Sequence, residues 1–297
     1  MLSFFTCPKG FVARSSLLQR NAILSWIRCI PEAEIILLGN DEGTREFARE
    51  IGAVHLPDVQ ATPKGVPLIS DLFEQAQCAA RFDRLCYINS DIVLTPDFRR
   101  ALERLLSWND DFLAIGECLD IEVPEPIAFT DPDWAATLTQ RARSKGRSRG
   151  RKAMDFFVFN RGLFKDVPQF AIGRLWFDNW LVWNARRQGC SVVDITPSVV
   201  CIHQNHDYSH AGAGQTVYSL PSADVLANLA AAGGYWHLHS MHESTHRLTD
   251  SGVRRSWAGT LKLYFYLLRP WTLLWHHLLD LTRPVRHALG LRAARPR

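Results

Sequence analysis

Asn89-Ser90-Asp91 closes the apolar run Leu85-Cys86-Tyr87-Ile88 and brings a carboxylate to the end of what reads as a buried strand. In an open α/β sheet the C-terminal ends of the strands form the edge where ligands bind. A carboxylate there can hold magnesium or manganese, which favour oxygen donors and share them with phosphates. Thr6-Cys7-Pro8-Lys9 and Gly39-Asn40-Asp41 follow apolar runs in the same way. If the three strands are parallel, all three clusters emerge on one edge. Any one of them alone reads better as a turn, because Asn, Asp and Gly favour turns. Together they suit a nucleotide: Thr6 and Pro8 to line the base, Asn40 or Asp41 to accept its hydrogen bonds, Lys64 and Arg174 to neutralise a diphosphate.

Two further constellations carry possible chemistry. The stretch His203-Gln-Asn-His206-Asp-Tyr-Ser-His210 follows an apolar run directly. Imidazole and carboxylate can share a divalent ion with phosphate oxygens, so His203 and His206 join Asp91 as candidate metal-site residues. In Trp176-Phe-Asp178-Asn-Trp180, Asp178 opens a helix. A carboxylate there is a natural cap; it is also a candidate general base that deprotonates an attacking hydroxyl. Aromatic faces often frame sugar rings, and Trp176 and Trp180 flank it.

The elements that must position these residues alternate as in an α/β sheet. The first strand, 2–7, precedes a helix over 16–30. A strand at 34–38, a helix at 44–51, a minor strand at 54–56 and a helix at 67–81 follow. The strand carrying the Asn-Ser-Asp triplet then leads to a helix over 96–106 and a strand at 112–115. Residues 120–153 read as an excursion with a helix near 134–140. Strands at 156–159, 191–195 and 199–202 and a helix over 178–188 complete the expected unit.

In combination, these segments resemble the GT-A-fold glycosyltransferases that use nucleotide-diphosphate sugars. Asn89-Ser-Asp91 is similar to their Asp-x-Asp-type motif. Asp155-Phe-Phe-Val-Phe-Asn160, Phe170-Ala-Ile-Gly-Arg174, Phe177-Asp-Asn-Trp180 and the His203 stretch resemble a bacterial group of that superfamily. The resemblance covers about residues 1–215. It implies an α/β fold with a Rossmann-like mixed sheet flanked by helices, a nucleotide-diphosphate-sugar donor, and Mn2+ or Mg2+. It places Asp91 and His203 at the metal and Asn89, Ser90 and Asp155 on the donor side, and it matches Asp178 to the acid that serves as base in inverting members, or to an acceptor-binding group if the enzyme retains. Asn89 stands where the usual motif has its first acid, which removes a charge but leaves an amide oxygen able to meet a ribose hydroxyl. The acceptor is a hydroxyl of a glycan, lipid or small molecule, in keeping with cell-surface polysaccharide synthesis.

The bulk composition fits one large domain with additions: 297 residues, 47% hydrophobic and 22% charged. A catalytic domain over 1–215 and a C-terminal helical extension over 216–297 are expected. The seven scattered cysteines, without Cys-x-x-Cys spacing, read as free thiols in a reducing compartment. With no leader-like segment at the start, the expectation is a cytoplasmic protein.

Residues 261–297 carry seven basic residues and one acid, a net +6 against −2 for the rest. Arg269-Pro270 and Asp280 interrupt this aromatic, leucine-rich tail, so it reads as an interfacial element for an anionic membrane surface or as packing on the catalytic domain. Arg141, Arg143, Lys145, Arg147, Arg149, Arg151 and Lys152 read as a mobile solvated loop, or as one that closes over phosphates or attracts an anionic acceptor. The stretch holds no aromatic for base stacking, which argues against nucleic acid.

Two other functions compete. His237, His239, His242 and His246 invite a zinc hydrolase, since His242-Glu-Ser-Thr-His246 matches a metalloprotease pattern in polar surroundings. A non-catalytic, membrane-associated binding protein on a decayed transferase fold would explain Asn89.

Overall fold

The computed structural model describes residues 1–205 and 223–257. Residues up to Ser256 form one compact unit. His206, the remainder of its polar stretch and the basic aromatic tail lie outside the described residues.

Nine strands form the main sheet, in the order β13-β12-β10-β6-β9-β4-β1-β2-β3. β1 (Ser3–Thr6) lies between β2 (Glu34–Leu38) and β4 (Arg84–Ile88), parallel to both, and β3 (Val54–Leu56) is parallel to β2. The C-terminal ends of β1, β2 and β4 therefore share one edge, as the apolar runs predict. β9 (Phe156–Asn160) enters antiparallel between β4 and β6 (Phe112–Ile115), and β10 (Ser191–Asp194) is parallel to β6. Because β9 runs the opposite way, its start is at that same edge, and Asn89 N–H donates to Asp155 O at 2.9 Å. The expected mixed sheet flanked by helices is the architecture of the chain.

Each face of the sheet buries a separate apolar layer. On one, α1 (Ala13–Cys29) packs Leu18, Ala22, Ile23 and Trp26 inward at helical spacing. On the other, α3 (Ile69–Ala79) and α6 (Phe177–Arg187) contribute Phe73 and Trp180. Phe5, Phe73, Tyr87 and Phe159 form a ring cluster there, with centroids 5.1–6.2 Å apart. Gly39 ends β2 at φ +92°, where a Cβ would lie 3.2 Å from Cys7 Sγ, so this turn requires glycine.

Three expectations change. First, the excursion is built into the fold. β7 (Cys118–Ile121), α5 (Trp134–Lys145) and β8 (Arg147–Ser148) join β5 (Ile92–Val93) and β11 (Cys201–Gln204) in a second sheet, ordered β5-β11-β7-β8. Its basic stretch is no free loop: α5 carries Arg141, Arg143 and Lys145, β8 carries Arg147, and Arg149 and Arg151 make ion pairs. Second, the compact unit runs past the expected boundary at 215. β12 (His246–Thr249) and β13 (Gly252–Arg255) extend the main sheet beyond β10, and α7 (Ala223–Ala231) is the helix observed between. Third, His242 and His246 share no helix. His242 sits in a 3-10 turn at Met241–Glu243 and His246 starts β12, its ring against Trp108. Among the described residues no group of three His, Cys, Asp or Glu side chains is arranged to hold a metal, so the helical zinc pair has no structural basis.

Candidate functional site

Sheet register assembles the metal-type cluster. β11 pairs antiparallel with β5, His203 opposite Ile92, and parallel with β7, His203 opposite Asp120. Asp91 immediately precedes Ile92, so Asp91, His203 and Asp120 fall in one row. His203 Nε2 lies 3.4 Å from Asp91 Oδ2, and Nδ1 lies 2.9 Å from Asp120 Oδ1. The imidazole is buried. Burial alone would lower its pKa, but the two carboxylates outweigh it and raise it to about 9. Asp120 is correspondingly held low, with burial opposing and His203 and Arg149 prevailing.

This donor set suits a hard divalent cation. Asp91 could supply an oxygen, His203 Nε2 lies beside it, and Asp120 on Nδ1 is placed to fix the tautomer of a ligating histidine. Two protein ligands would leave positions for phosphate oxygens.

Buried polar side chains on α1 hold this corner. Gln19 Nε2 donates to Lys9 O at 2.8 Å, and its Oε1 accepts from Lys9 N–H and from Ser90 Oγ. Gln204 Nε2 donates to Leu18 O and Asp91 O, its Oε1 accepts from Asn21 Nδ2 at 3.1 Å, and Trp26 Nε1 donates to Ile92 O. These buried polar groups are satisfied by the backbone and side chains they position.

A second chain of contacts runs from Asn89. Its Nδ2 donates to Asp155 Oδ1 at 3.0 Å and its Oδ1 accepts from Tyr87 Oη at 3.1 Å. Asp155 Oδ2 lies 3.3 Å from Arg149 Nε, and Arg149 also reaches Asp120. Asp178, in the first turn of α6, follows Trp176 at φ +92°, a left-handed conformation rare for a bulky side chain. Burial raises the Asp178 pKa to about 7, the charge of Asp155 adds to the effect, and backbone hydrogen bonds from Asn179 and Met154 oppose it.

The remaining candidates spread around this centre. Thr6 and Pro8 are buried at and just beyond the end of β1, and Asn40 and Asp41 are exposed beyond β2. Asp41 is near enough to Cys7 to add to the burial that pushes its thiol up to about 12. Lys64 lies 2.8 Å and Arg174 3.6 Å from the carboxylate of Asp224 on α7, which gathers the two cations. Lys9 joins them: its pKa is lowered by burial and by Arg174, with Asp91 acting in the other direction. Asp120, Arg149 and Lys9 were not singled out from sequence. The alternation Cys118-Leu-Asp120-Ile121 after a strand was the available signal for Asp120; Arg149 is one cation among seven in its stretch.

No family model and no curated protein matches the chain. The chain is similar to the crystal structure of glucosyl-3-phosphoglycerate synthase from Mycobacterium tuberculosis in complex with Mn2+, UDP-glucose and phosphoglyceric acid. That similarity has 18% identity and a TM-score of 0.48 over 79% of this chain and 80% of the other. For the same synthase in complex with Mg2+ and UDP the values are 17% and 0.44, over 78% and 79%. For S. aureus TarS 1-349 in complex with UDP-GlcNAc they are 10% and 0.47, over 72% and 61%. No helix among the described residues is long and apolar enough to cross a membrane.

Proposed function

We propose that this chain is a metal-assisted glycosyltransferase of GT-A type that moves a sugar from a nucleoside diphosphate to a hydroxyl acceptor. The observation that carries the reading is the row Asp91–His203–Asp120 at the ligand-binding edge of a mixed sheet, with a half-buried carboxylate of raised pKa, Asp178, at the start of α6.

In this reading Thr6, Pro8, Asn40 and Asp41 take the nucleoside, and Asn89, Ser90 and Asp155 shape the donor pocket. Lys9, Lys64 and Arg174 offset the diphosphate. Asp91 and His203 would hold a divalent ion, Mn2+ or Mg2+, which when bound would supply electrostatic stabilisation of the departing diphosphate. His206 is a further candidate at that site. Asp178 accepts the proton of the acceptor hydroxyl as its oxygen bonds to the anomeric carbon, while the bond from that carbon to the diphosphate breaks. The nucleoside diphosphate leaves with the bonding pair, and the product inverts.

The protein is read as cytoplasmic, with the basic tail meeting an anionic membrane in cell-surface polysaccharide synthesis. Co-sedimentation with phosphatidylglycerol vesicles tests the tail: a folded chain lacking 261–297 should stay in the supernatant, and equal pelleting of both forms would exclude the role.

Thermal-shift screening of nucleotide sugars, with and without manganese, tests the donor assignment. Ligand that binds only the folded state raises its melting temperature. One nucleoside diphosphate sugar should stabilise the protein more with manganese; no response to any of them would overturn the assignment.

A further inference from the structure

The surface beside Asp178 is unusually aromatic. Leu175 and Tyr235 are each 41% exposed and Trp236 is 55% exposed. Trp176 meets Tyr235 edge to face, with ring centroids 5.6 Å apart. Two separate parts of the chain are tied together to make this surface. His239 N–H donates to Asn179 O at 3.0 Å and Asn179 Nδ2 returns a bond to His239 O at 2.9 Å, which fixes the segment after Trp236 against the start of α6. Asn228 on α7, itself buried, donates through Nδ2 to Leu175 O and Ala171 O, both at 3.1 Å.

Trp176 marks the spot as more than a structural corner. Its left-handed backbone is strained for a bulky side chain, and such strain collects at functional sites. Its buried indole N–H has no hydrogen-bond partner among the described residues, a second cost that an ordinary packed residue would not carry. Amphipathic rings grouped on a surface commonly mark a binding face.

We propose, resting on the glycosyl-transfer reading, that Leu175, Trp176, Tyr235 and Trp236 form the acceptor subsite and that the acceptor is a carbohydrate. A pyranose has a face of C–H groups that packs on an aromatic ring and a rim of hydroxyls, one of which would meet Asp178. Arg174, next to Leu175, is paired with Asp224. A free oligosaccharide and a lipid-linked glycan present the same ring.

The test measures transfer from the stabilising nucleotide sugar in two arms. One arm offers the methyl pyranosides of glucose, galactose and mannose, and the other offers glycolipids bearing these sugars in phosphatidylcholine vesicles. Saturation-transfer NMR on the pyranosides reads contact with the rings directly. Expected are transfer and NMR contact with at least one pyranose, and an acceptor KM raised about tenfold in Tyr235→Ala and Trp236→Ala with the donor KM in place. Tyr235→Phe, which keeps the ring, should restore the acceptor KM. Transfer confined to the vesicle arm, with the same KM response, assigns the ring to a lipid-linked glycan. Donor hydrolysis with no pyranose accepted in either arm, or an acceptor KM unmoved by both alanines, would overturn the carbohydrate subsite. Absence of any donor hydrolysis by the unaltered protein would instead overturn glycosyl transfer itself.

Discussion

The side-chain amide of Asn89 donates to Asp155 Oδ1 at 3.0 Å, so the position that carries an acid in the resembled motif here serves a buried acid on the neighbouring strand. Asp155 is 4% exposed and its other oxygen faces Arg149. Restoring the missing acid as Asn89→Asp would set two carboxylates against each other and remove a donor from Asp155. Breaking such a buried charged contact costs about 1–3 kcal/mol or more. Thermal denaturation of Asn89→Asp should show lowered stability, and Asn89→Asp with Asp155→Asn should recover much of it, the coupling being read from a double-mutant cycle. Additive losses would show that the two positions do not interact.

The raised pKa of Asp178 makes two pH predictions with opposite directions. As a base it must be ionised, so transfer at saturating substrate should rise with pH through about 7. Its contribution to stability runs the other way. The folded state holds a proton that the unfolded chain releases near the ordinary carboxylate value, so stability falls as pH rises from about 4 and levels off above about 7. Asp178→Asn should remove that slope from the denaturation midpoint and lower kcat by about 100-fold or more. A kcat within a few-fold of the unaltered protein would remove Asp178 from the base role.

Asp120 is expected to act through His203 as a positioning residue. Replacing an outer-shell partner of a metal ligand typically costs about 10–100-fold in affinity. Calorimetric titration of Mn2+ in the presence of nucleoside diphosphate should show this loss for Asp120→Asn, while Asp120→Glu retains part of the affinity. Equal affinity for Asp120→Asn would mean that Asp120 does not orient His203.

The parallel strands and the edge they share were legible because buried parallel strands are written as near-continuous apolar runs, as in Ile35 to Leu38 and Leu85 to Ile88. The places of Asp91 beyond a strand end and of Asp178 at a helix start were legible because each adjoins an element boundary. The second sheet was not legible: β5 and β8 have two residues each, too short for any periodicity. His203 and Asp120 become neighbours only through β11 and β7, whose pairing spans more than 80 residues. Arg149 was hidden among like charges, since composition reports a solvated stretch and says nothing of which cation a buried acid will recruit. The β12–β13 hairpin was missed because His246-Arg-Leu-Thr249 carries only one apolar side chain.

If Asp91 and His203 form the metal corner of a nucleotide-sugar site, Asp91→Ala should disable it. The Asp91 side chain lies 3.4 Å from His203 Nε2. Hydrolysis of the stabilising nucleotide sugar, measured with manganese on a variant shown by circular dichroism to be folded, should fall by at least 100-fold. Turnover close to that of the unaltered protein would contradict the account.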